Sequence, residues 1–229
     1  MHILHGDDWV APGFYMEIEM LFCKHPEAGA AFTNNFNFLQ EEEEIRARSP
    51  LANQAGVLQD ALLMIAERQE ISTPSVVVKR IVYEQLGGFF AVHYGEDWEM
   101  WARIAAHFPI AYSPRCLAYY RYLNRTSISY SSIKNGQNIT DIMQIIDIMQ
   151  QYLPVEQRER LKMMAQRNYS RYCASLAHTI YEQEADYDAA FVQTSGALHM
   201  SKDLKVLYLV LKLYVKHIIG YKQLKKLWQ

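Results

Sequence analysis

The chain contains two pairs of adjacent acidic residues whose side chains could bind a metal ion or act in catalysis. Asp7 and Asp8 follow a short, mostly apolar segment and precede Trp9. Glu96 and Asp97 follow a glycine at a point where a helical pattern begins. Ionised carboxylates bind hard divalent cations through oxygen, and they also accept protons as general bases. These two pairs are therefore the candidate metal and catalytic residues of the chain.

The first acidic pair is predicted to lie at the end of a strand. Residues 1–5 have the character of a buried strand, and Gly6 begins a turn that carries Asp7 and Asp8. In an α/β sheet, ligands bind beyond the carboxyl ends of strands. A Mg²⁺ or Mn²⁺ ion there would bridge the carboxylates to a substrate diphosphate and neutralise that leaving group. The alternative is that the aspartates cap the helix beginning near Pro12 or satisfy the turn.

The second acidic pair is predicted to lie in the first turn of a helix. Facing a cleft, Asp97 could act as a general base that removes the proton from an incoming hydroxyl, with Glu96 beside it. The alternative is that both acids are there because the helix dipole favours negative charge at this end. Trp98 and Trp101 share one helical face, which favours an apolar core over a stacking wall.

A mixture of strands and helices is predicted to position both pairs. Helices are expected at residues 12–25, 57–65, 79–86 and 95–108, with the third ending at a glycine pair. Extended segments are expected at residues 28–39, 75–78, 110–112 and 116–122, with a Ser-Pro break between the last two. From about residue 136 the periodicity is helical only. We therefore predict an α/β segment over residues 1–130 and an all-α extension over residues 136–229.

Composition excludes several classes of protein. The chain has 229 residues, of which 50% are hydrophobic, so it can bury a sizeable core without disulfides. A formal net charge of -2 gives no global electrostatic reason for nucleic-acid binding. The 3 cysteines are isolated from one another, which favours a reducing cytoplasm over a disulfide framework or zinc ribbon. The most apolar stretch, residues 204–219, is interrupted by three lysines and is not expected to span a membrane.

Taken in order, these motifs resemble the second half of a family 2 glycosyltransferase. The resemblance covers roughly residues 1–130 and is most specific in Leu4-His-Gly-Asp-Asp-Trp-Val-Ala-Pro-Gly-Phe-Tyr15 and in residues 87–103. It implies a partial nucleotide-sugar-binding fold called GT-A, with a mixed sheet and helices. The implied activity is sugar transfer, with inversion, from a nucleotide-sugar donor to a glycan, lipid-linked or other hydroxyl acceptor. By the same resemblance, the expected role is in the synthesis of cell-envelope polysaccharide or another glycoconjugate.

The resemblance also assigns roles to individual residues. Asp7 and Asp8 match the motif that holds Mg²⁺ or Mn²⁺ and the diphosphate, and Asp97 with Glu96 matches the catalytic-base motif. The segment Tyr120-Arg121-Tyr122, followed by Asn124 and Ser127, matches a loop in which Arg121 would bind the leaving diphosphate. We also predict that His5 binds the diphosphate and that Trp98 and His93 bind the acceptor.

Two features of the chain depart from the family pattern. His5 stands where the acidic motif commonly has another aspartate, so the predicted metal site rests on Asp7 and Asp8. The half of the fold that contacts the base and ribose would precede Met1, so we expect this chain to be the acceptor-side half. The alternative function is a non-catalytic remnant that serves as a binding or scaffold protein at a membrane or partner.

The last thirty residues form a basic and apolar tail. Seven lysines and one acid are interleaved with large apolar residues over positions 200–229. Lys205, Lys212 and Lys216 share one helical face, so this helix could lie on an anionic membrane, peripheral to its inner face. The alternative is an ordinary terminal helix that packs on the extension and keeps its lysines in water.

Overall fold

The structure, a computed structural model, describes residues 1–38, 45–122 and 127–220. Within those ranges the protein is α/β, with one mixed sheet and helices on both of its faces. No helix in the described ranges is both long enough and apolar enough to cross a membrane.

Two long parallel strands form the centre of the sheet. They are β2 (Ala30–Phe38) and β6 (Ile110–Arg121), and most of the residues of β2 are buried. Burial of both faces of a central strand accounts for the run of small and apolar residues that begins β2. Four short strands pair antiparallel with these two. They are β1 (Trp9–Val10) and β4 (Gly56–Val57) beside β6, and β3 (Arg46–Ala47) and β5 (Val76–Val78) beside β2.

Helices cover the two faces of the sheet with separate apolar clusters. Helix α1 (Phe14–Lys24) packs Phe14, Ile18 and Leu21 against alanines of β2 and β6. On the other face lie α2 (Ala61–Glu67), α3 (Arg80–Leu86) and α4 (Glu96–His107), whose buried side chains include Trp98 and Trp101. Alternate residues of the strands point to opposite faces, so both clusters bury large apolar area.

The described residues that follow β6 are mainly helical, and the first of these helices begins at Ile128, before the predicted boundary at residue 136. The α-helices are α5 (Ile128–Asn135), α6 (Gln137–Met149), α7 (Arg158–Gln183), α8 (Tyr187–Met200) and α9 (Leu204–Ile218). Ile142, Ile145 and Ile146 of α6 lie in the same cluster as the tryptophans of α4. One apolar core therefore joins the α/β segment to the helices that follow it.

Three local predictions differ from the structure. Residues 1–5 do not form a buried strand: only His2 makes a bridge, to Val77, and Ile3 and Leu4 are 37% and 43% exposed. The segment lies at the outer edge of β5, where His2 stacks on Phe14 but the side chains of Ile3 and Leu4 remain exposed. The predicted helix at residues 57–65 begins at Ala61, because Gly56 and Val57 pair with β6 instead.

The third difference concerns β6. The Ser113-Pro114 break does not divide it into two strands. Two register shifts opposite Asn34 absorb the irregularity, and the strand continues to Arg121. A bulge of this kind accommodates a proline, which has no N–H to donate to the ladder.

Candidate functional site

A cavity of about 650 Å³ opens at the carboxyl ends of β2 and β6. Asn37 and residues 120–122 form its floor, and both acidic pairs line its walls. The cavity therefore brings together Asp7, Asp8, Glu96 and Asp97, which are about ninety positions apart in sequence. This is the edge of an α/β sheet at which ligands bind.

Strand pairing, not a preceding strand, carries Asp7 and Asp8 to this edge. The two aspartates lie immediately before β1, whose Trp9 pairs antiparallel with Tyr119 of β6. The antiparallel direction places Asp8 beside the end of β6, where the backbone N–H of Arg121 donates to Asp8 Oδ1 over 2.8 Å. The predicted sheet edge is correct, but the element that precedes the aspartates is a turn and an exposed segment.

Asp8 is buried, and one of its two carboxylate oxygens has no hydrogen-bond donor among the described residues. Its side chain is only 1% exposed, and its Oδ2 accepts no hydrogen bond from the described residues. His5 Nδ1 lies 3.7 Å from that oxygen, and this contact raises the pKa of His5, with further contributions from the charges of Asp7 and Asp97. A buried carboxylate oxygen without a hydrogen-bond donor is costly unless a cation is near it.

The donor set fits a cation that is shared with a bound diphosphate. No group of three or more His, Cys, Asp or Glu side chains arranged to hold a metal ion occurs in the described ranges. Asp7 and Asp8 supply two carboxylates, and Mg²⁺ is commonly bound by one or two carboxylates together with substrate phosphates and water. The residues present therefore suit an ion that the substrate helps to hold.

Asp97 is held in place by donors from a neighbouring loop. Gly95 has a φ of 77°, which begins α4 so that Asp97 reaches the cavity. Asp97 Oδ2 accepts from Gln69 Nε2 over 2.6 Å and from Thr73 Oγ1 over 3.0 Å, while Oδ1 accepts the backbone N–H of Trp98. The carboxylate is thereby fixed in orientation at the cavity wall.

The surroundings of Asp97 raise its pKa toward neutral pH. Burial raises the pKa of Asp97 from 3.8 to about 6, and the adjacent charge of Glu96 acts in the same direction. A general base is most effective when its pKa lies near the working pH. Tyr120 lies among the same charges: burial raises its pKa, and Asp97 and Asp8 raise it further. Its hydroxyl therefore stays protonated and available as a donor.

Of the remaining predicted residues, Arg121 lies in the cavity, Trp98 in the core, and His93 is exposed outside both. Arg121 lines the cavity, and its guanidinium lies over the ring of Phe38, 5.2 Å from the centroid. Trp98 contributes to the lining but is 2% exposed, and its indole N–H donates to the Ile65 carbonyl. His93 is not among the lining residues, and its backbone N–H donates to Asp141 Oδ2 over 3.1 Å.

The loop after β6 is described only at its two ends. Tyr120, Arg121 and Tyr122 line the cavity at one end, and Asn124 lies outside the described residues. Ser127 lines the cavity at the other end, where its Oγ accepts the N–H of Tyr130 and caps α5. The loop thus connects the sheet edge to the first helix of the extension.

Sequence reasoning missed the wall that the C-terminal helices provide. Helix α7 contributes Ala165, Asn168, Tyr169 and Tyr172, which follow the i, i+3, i+4, i+7 spacing of a single helical face. Burial raises the pKa of Tyr172 to about 12, so its hydroxyl stays protonated at neutral pH. The only signal for this wall in the sequence is an asparagine and two tyrosines at the spacing of one helical face.

Two arginines that line the cavity were also missed. Arg48 and Arg68 line the cavity, and both form ion pairs with the carboxylate of Glu70, Arg48 over 2.7 Å. The Glu70 side chain is 5% exposed, whereas the Arg68 side chain is 67% exposed. One buried carboxylate thus orients two guanidinium groups, and guanidinium is well suited to bind phosphate.

Comparisons with known proteins add no family assignment. A scan against protein-family models finds none that matches the chain, and a search of curated proteins finds no match either. The arrangement of the site is therefore interpreted from its own geometry.

Proposed function

We propose that this chain carries the diphosphate and catalytic-base side of an inverting glycosyltransferase site of the GT-A type. The observation that carries the proposal is the meeting of Asp8, Asp97 and Arg121 in one cavity at the carboxyl edge of the sheet. Asp97 is fixed by two side-chain donors and has its pKa raised to about 6. The substrates proposed are a nucleotide-sugar donor and a hydroxyl acceptor.

Positive groups would receive the leaving diphosphate. Arg121 and His5 line the cavity with Asp8. When His5 is protonated, its imidazolium adds a second positive side chain to that of Arg121. Arg48 and Arg68 also line the cavity and offer further donors. A Mg²⁺ or Mn²⁺ ion bound through Asp7 and Asp8 would supply charge neutralisation to the diphosphate.

Asp97 would remove the proton of the acceptor hydroxyl. The acceptor oxygen attacks the anomeric carbon from the side opposite the diphosphate as it loses its proton to the Asp97 carboxylate. The bond between the anomeric carbon and the diphosphate oxygen breaks at the same time. A single displacement of this kind inverts the anomeric configuration. Glu96 would keep the pKa of Asp97 raised through its adjacent charge.

The C-terminal helices would complete the acceptor side. Tyr169 and Tyr172 of α7, with Tyr130 of α5, line the cavity. Aromatic rings with polar tips suit a ligand that has both apolar and polar surface. These tyrosines are better placed for that role than Trp98, which is buried in the core, or His93, which lies outside the lining.

The test is release of nucleoside diphosphate from a panel of nucleotide sugars with Mn²⁺ and a mixture of hydroxyl acceptors. We expect Asp97→Asn to lower the rate by about 10²- to 10⁴-fold, the contribution typical of a general base. The rate of the unaltered chain should rise as pH increases through about 6, because Asp97 must lose its proton to act. The control is Asp188→Asn, which alters an exposed carboxylate outside the cavity.

Equal rates for the unaltered chain and Asp97→Asn would reject the base assignment. If no donor in the panel releases diphosphate, the non-catalytic alternative, a binding or scaffold protein, is favoured instead. Cytoplasmic location stays a prediction from the isolated cysteines.

A further inference from the structure

Helix α9 is apolar on two opposite sides. Its inner side buries Val206, Val210 and Leu213 against α7 and α8. Its outer side is formed by six apolar residues that are 42% to 86% exposed: Leu204, Leu207, Tyr208, Leu211, Val215 and Ile218. At 100° per residue these six fall within an arc of about 100°. We call them the outer face of α9.

The helix is held so that this face stays turned outward. Asp203 caps its N-terminus, with Oδ1 accepting from the N–H of Val206, and Asp203 Oδ2 accepts from Arg171 Nε over 2.6 Å. On α7, His178 Nε2 lies 2.8 Å from the carbonyl of Leu209, and Glu182 pairs with Lys216. Contacts at both ends and in the middle therefore fix the rotation of the helix.

Basic groups border the outer face. Lys205 and Lys212 are exposed and lie along one edge of it, and Lys202 is exposed just before the helix. The whole of α9 contains no acidic residue. The sequence continues past the helix with Lys222, Lys225, Lys226 and Trp228, again without an acid.

We propose that the outer face of α9 docks on a membrane surface that contains anionic lipids. The apolar side chains would enter the boundary between headgroups and acyl chains, and the bordering lysines would contact the headgroup charges. The absence of acidic residues from α9 favours this occupant over a second copy of the chain. A second copy would bring like charges together with no carboxylate of this helix to pair with them.

The experiment is co-sedimentation of the full chain with two kinds of vesicle. One kind contains phosphatidylcholine with phosphatidylglycerol, and the other contains phosphatidylcholine alone. We expect strong binding to the first, weaker binding to the second, and loss of the difference in high salt, because salt screens the lysine contribution. No binding of the unaltered chain to the anionic vesicles would overturn the proposal.

Three variants separate the contributions. Leu211→Glu combined with Ile218→Glu should weaken binding at least roughly 100-fold, because two buried apolar contacts are lost and two negative charges are added. Lys205→Gln combined with Lys212→Gln should weaken binding to anionic vesicles by about 30-fold and leave binding to neutral vesicles unchanged. The matched control, Val155→Glu, alters a residue that is 73% exposed away from α9 and should bind as the unaltered chain does.

The outcomes are distinguishable even if one variant does not fold. Circular dichroism checks each protein, and the lysine variant tests the charge contribution independently of the glutamate variant. Equal loss of binding in Val155→Glu and in the Leu211/Ile218 variant would overturn the proposal. So would a dimer in analytical ultracentrifugation that these glutamates dissociate while no vesicle binding is seen, since that result assigns the face to a second copy.

Discussion

Replacing Asp97 by asparagine should stabilise the folded protein at neutral pH relative to its effect at acid pH. The folded state raises the pKa of Asp97 from 3.8 to about 6 through burial and through the charge of Glu96. Between these two values the folded chain holds a proton that the unfolded chain has released. The free energy of unfolding therefore falls as pH rises through this range, and asparagine removes that dependence.

The size of the effect follows from the pKa difference. A shift of about two units at about 1.4 kcal/mol each corresponds to about 3 kcal/mol between pH 4 and pH 7. The side chain of asparagine also alters the hydrogen bonds that Gln69 and Thr73 donate to Asp97. That change is present at every pH, so it cancels when the two pH values are compared.

The assay is urea unfolding at a series of pH values, followed by the fluorescence of the buried Trp98 and Trp101. The difference in free energy of unfolding between Asp97→Asn and the unaltered chain should grow with pH up to about pH 7 and then level. Glu96→Gln should reduce the growth, because it removes one cause of the raised pKa. Asp188→Asn should show no such growth. A difference that stays constant over the whole range would refute the reasoning about Asp97.

Two further predictions concern residues that hold the acidic helix in place. Glu99 is 0% exposed and accepts from Arg103 Nη2 over 2.8 Å, so Glu99→Ala should cost about 3–5 kcal/mol by leaving a buried arginine without its carboxylate. Tyr152→Phe, which removes only a hydroxyl donor to the same carboxylate, should cost about 1 kcal/mol in the same urea assay. Gly95 has a φ of 77°, and a Cβ there would lie 2.9 Å from an isoleucine carbon of α6. Gly95→Ala should therefore cost about 1–3 kcal/mol and reduce transfer by displacing Asp97, whereas Gly88→Ala, where a Cβ meets nothing within 4 Å, should have little effect in either assay.

Local signals in the sequence predict the elements on which the acidic residues lie. Gly95 and Pro109 bound the predicted helix that carries Asp97, and the structure forms α4 between them. The glycine pair after Leu86 likewise marks the end of α3. These elements are predictable because the backbone preferences of glycine and proline act over a few residues.

Long-range pairing is the part that the sequence does not reveal. Residues 1–5 have the composition of a strand. Ile3 and Leu4 would be buried only if another layer packed on this segment, but the segment lies at the edge of the sheet beside β5 and both side chains are exposed. The Ser113-Pro114 break is tolerated because β6 bulges there and regains its pairing with β2 further along. Neither the partner strand nor its register can be deduced from a short apolar run.

The same limit applies to the site. The acidic pairs could be recognised from residue type and local context, whereas Arg48 and the α7 wall could not. The side chain of Arg48 is directed by Glu70, twenty-two positions away, and the polar face of α7 reaches the cavity only because α7 packs across α2. Side chains that line a site from distant elements have no local pattern that distinguishes them from surface or core residues.

The central claim, that the cavity binds a nucleotide sugar through its diphosphate beside Asp8, is tested most directly by calorimetry. The unaltered chain, Asp8→Asn and Asp97→Asn are each titrated with a panel of nucleoside diphosphates in the presence of Mn²⁺. We predict micromolar binding of at least one of them by the unaltered chain, at least roughly tenfold weaker binding by Asp8→Asn, and nearly unchanged binding by Asp97→Asn. Absence of binding by the unaltered chain, or equal binding by Asp8→Asn, would contradict the account.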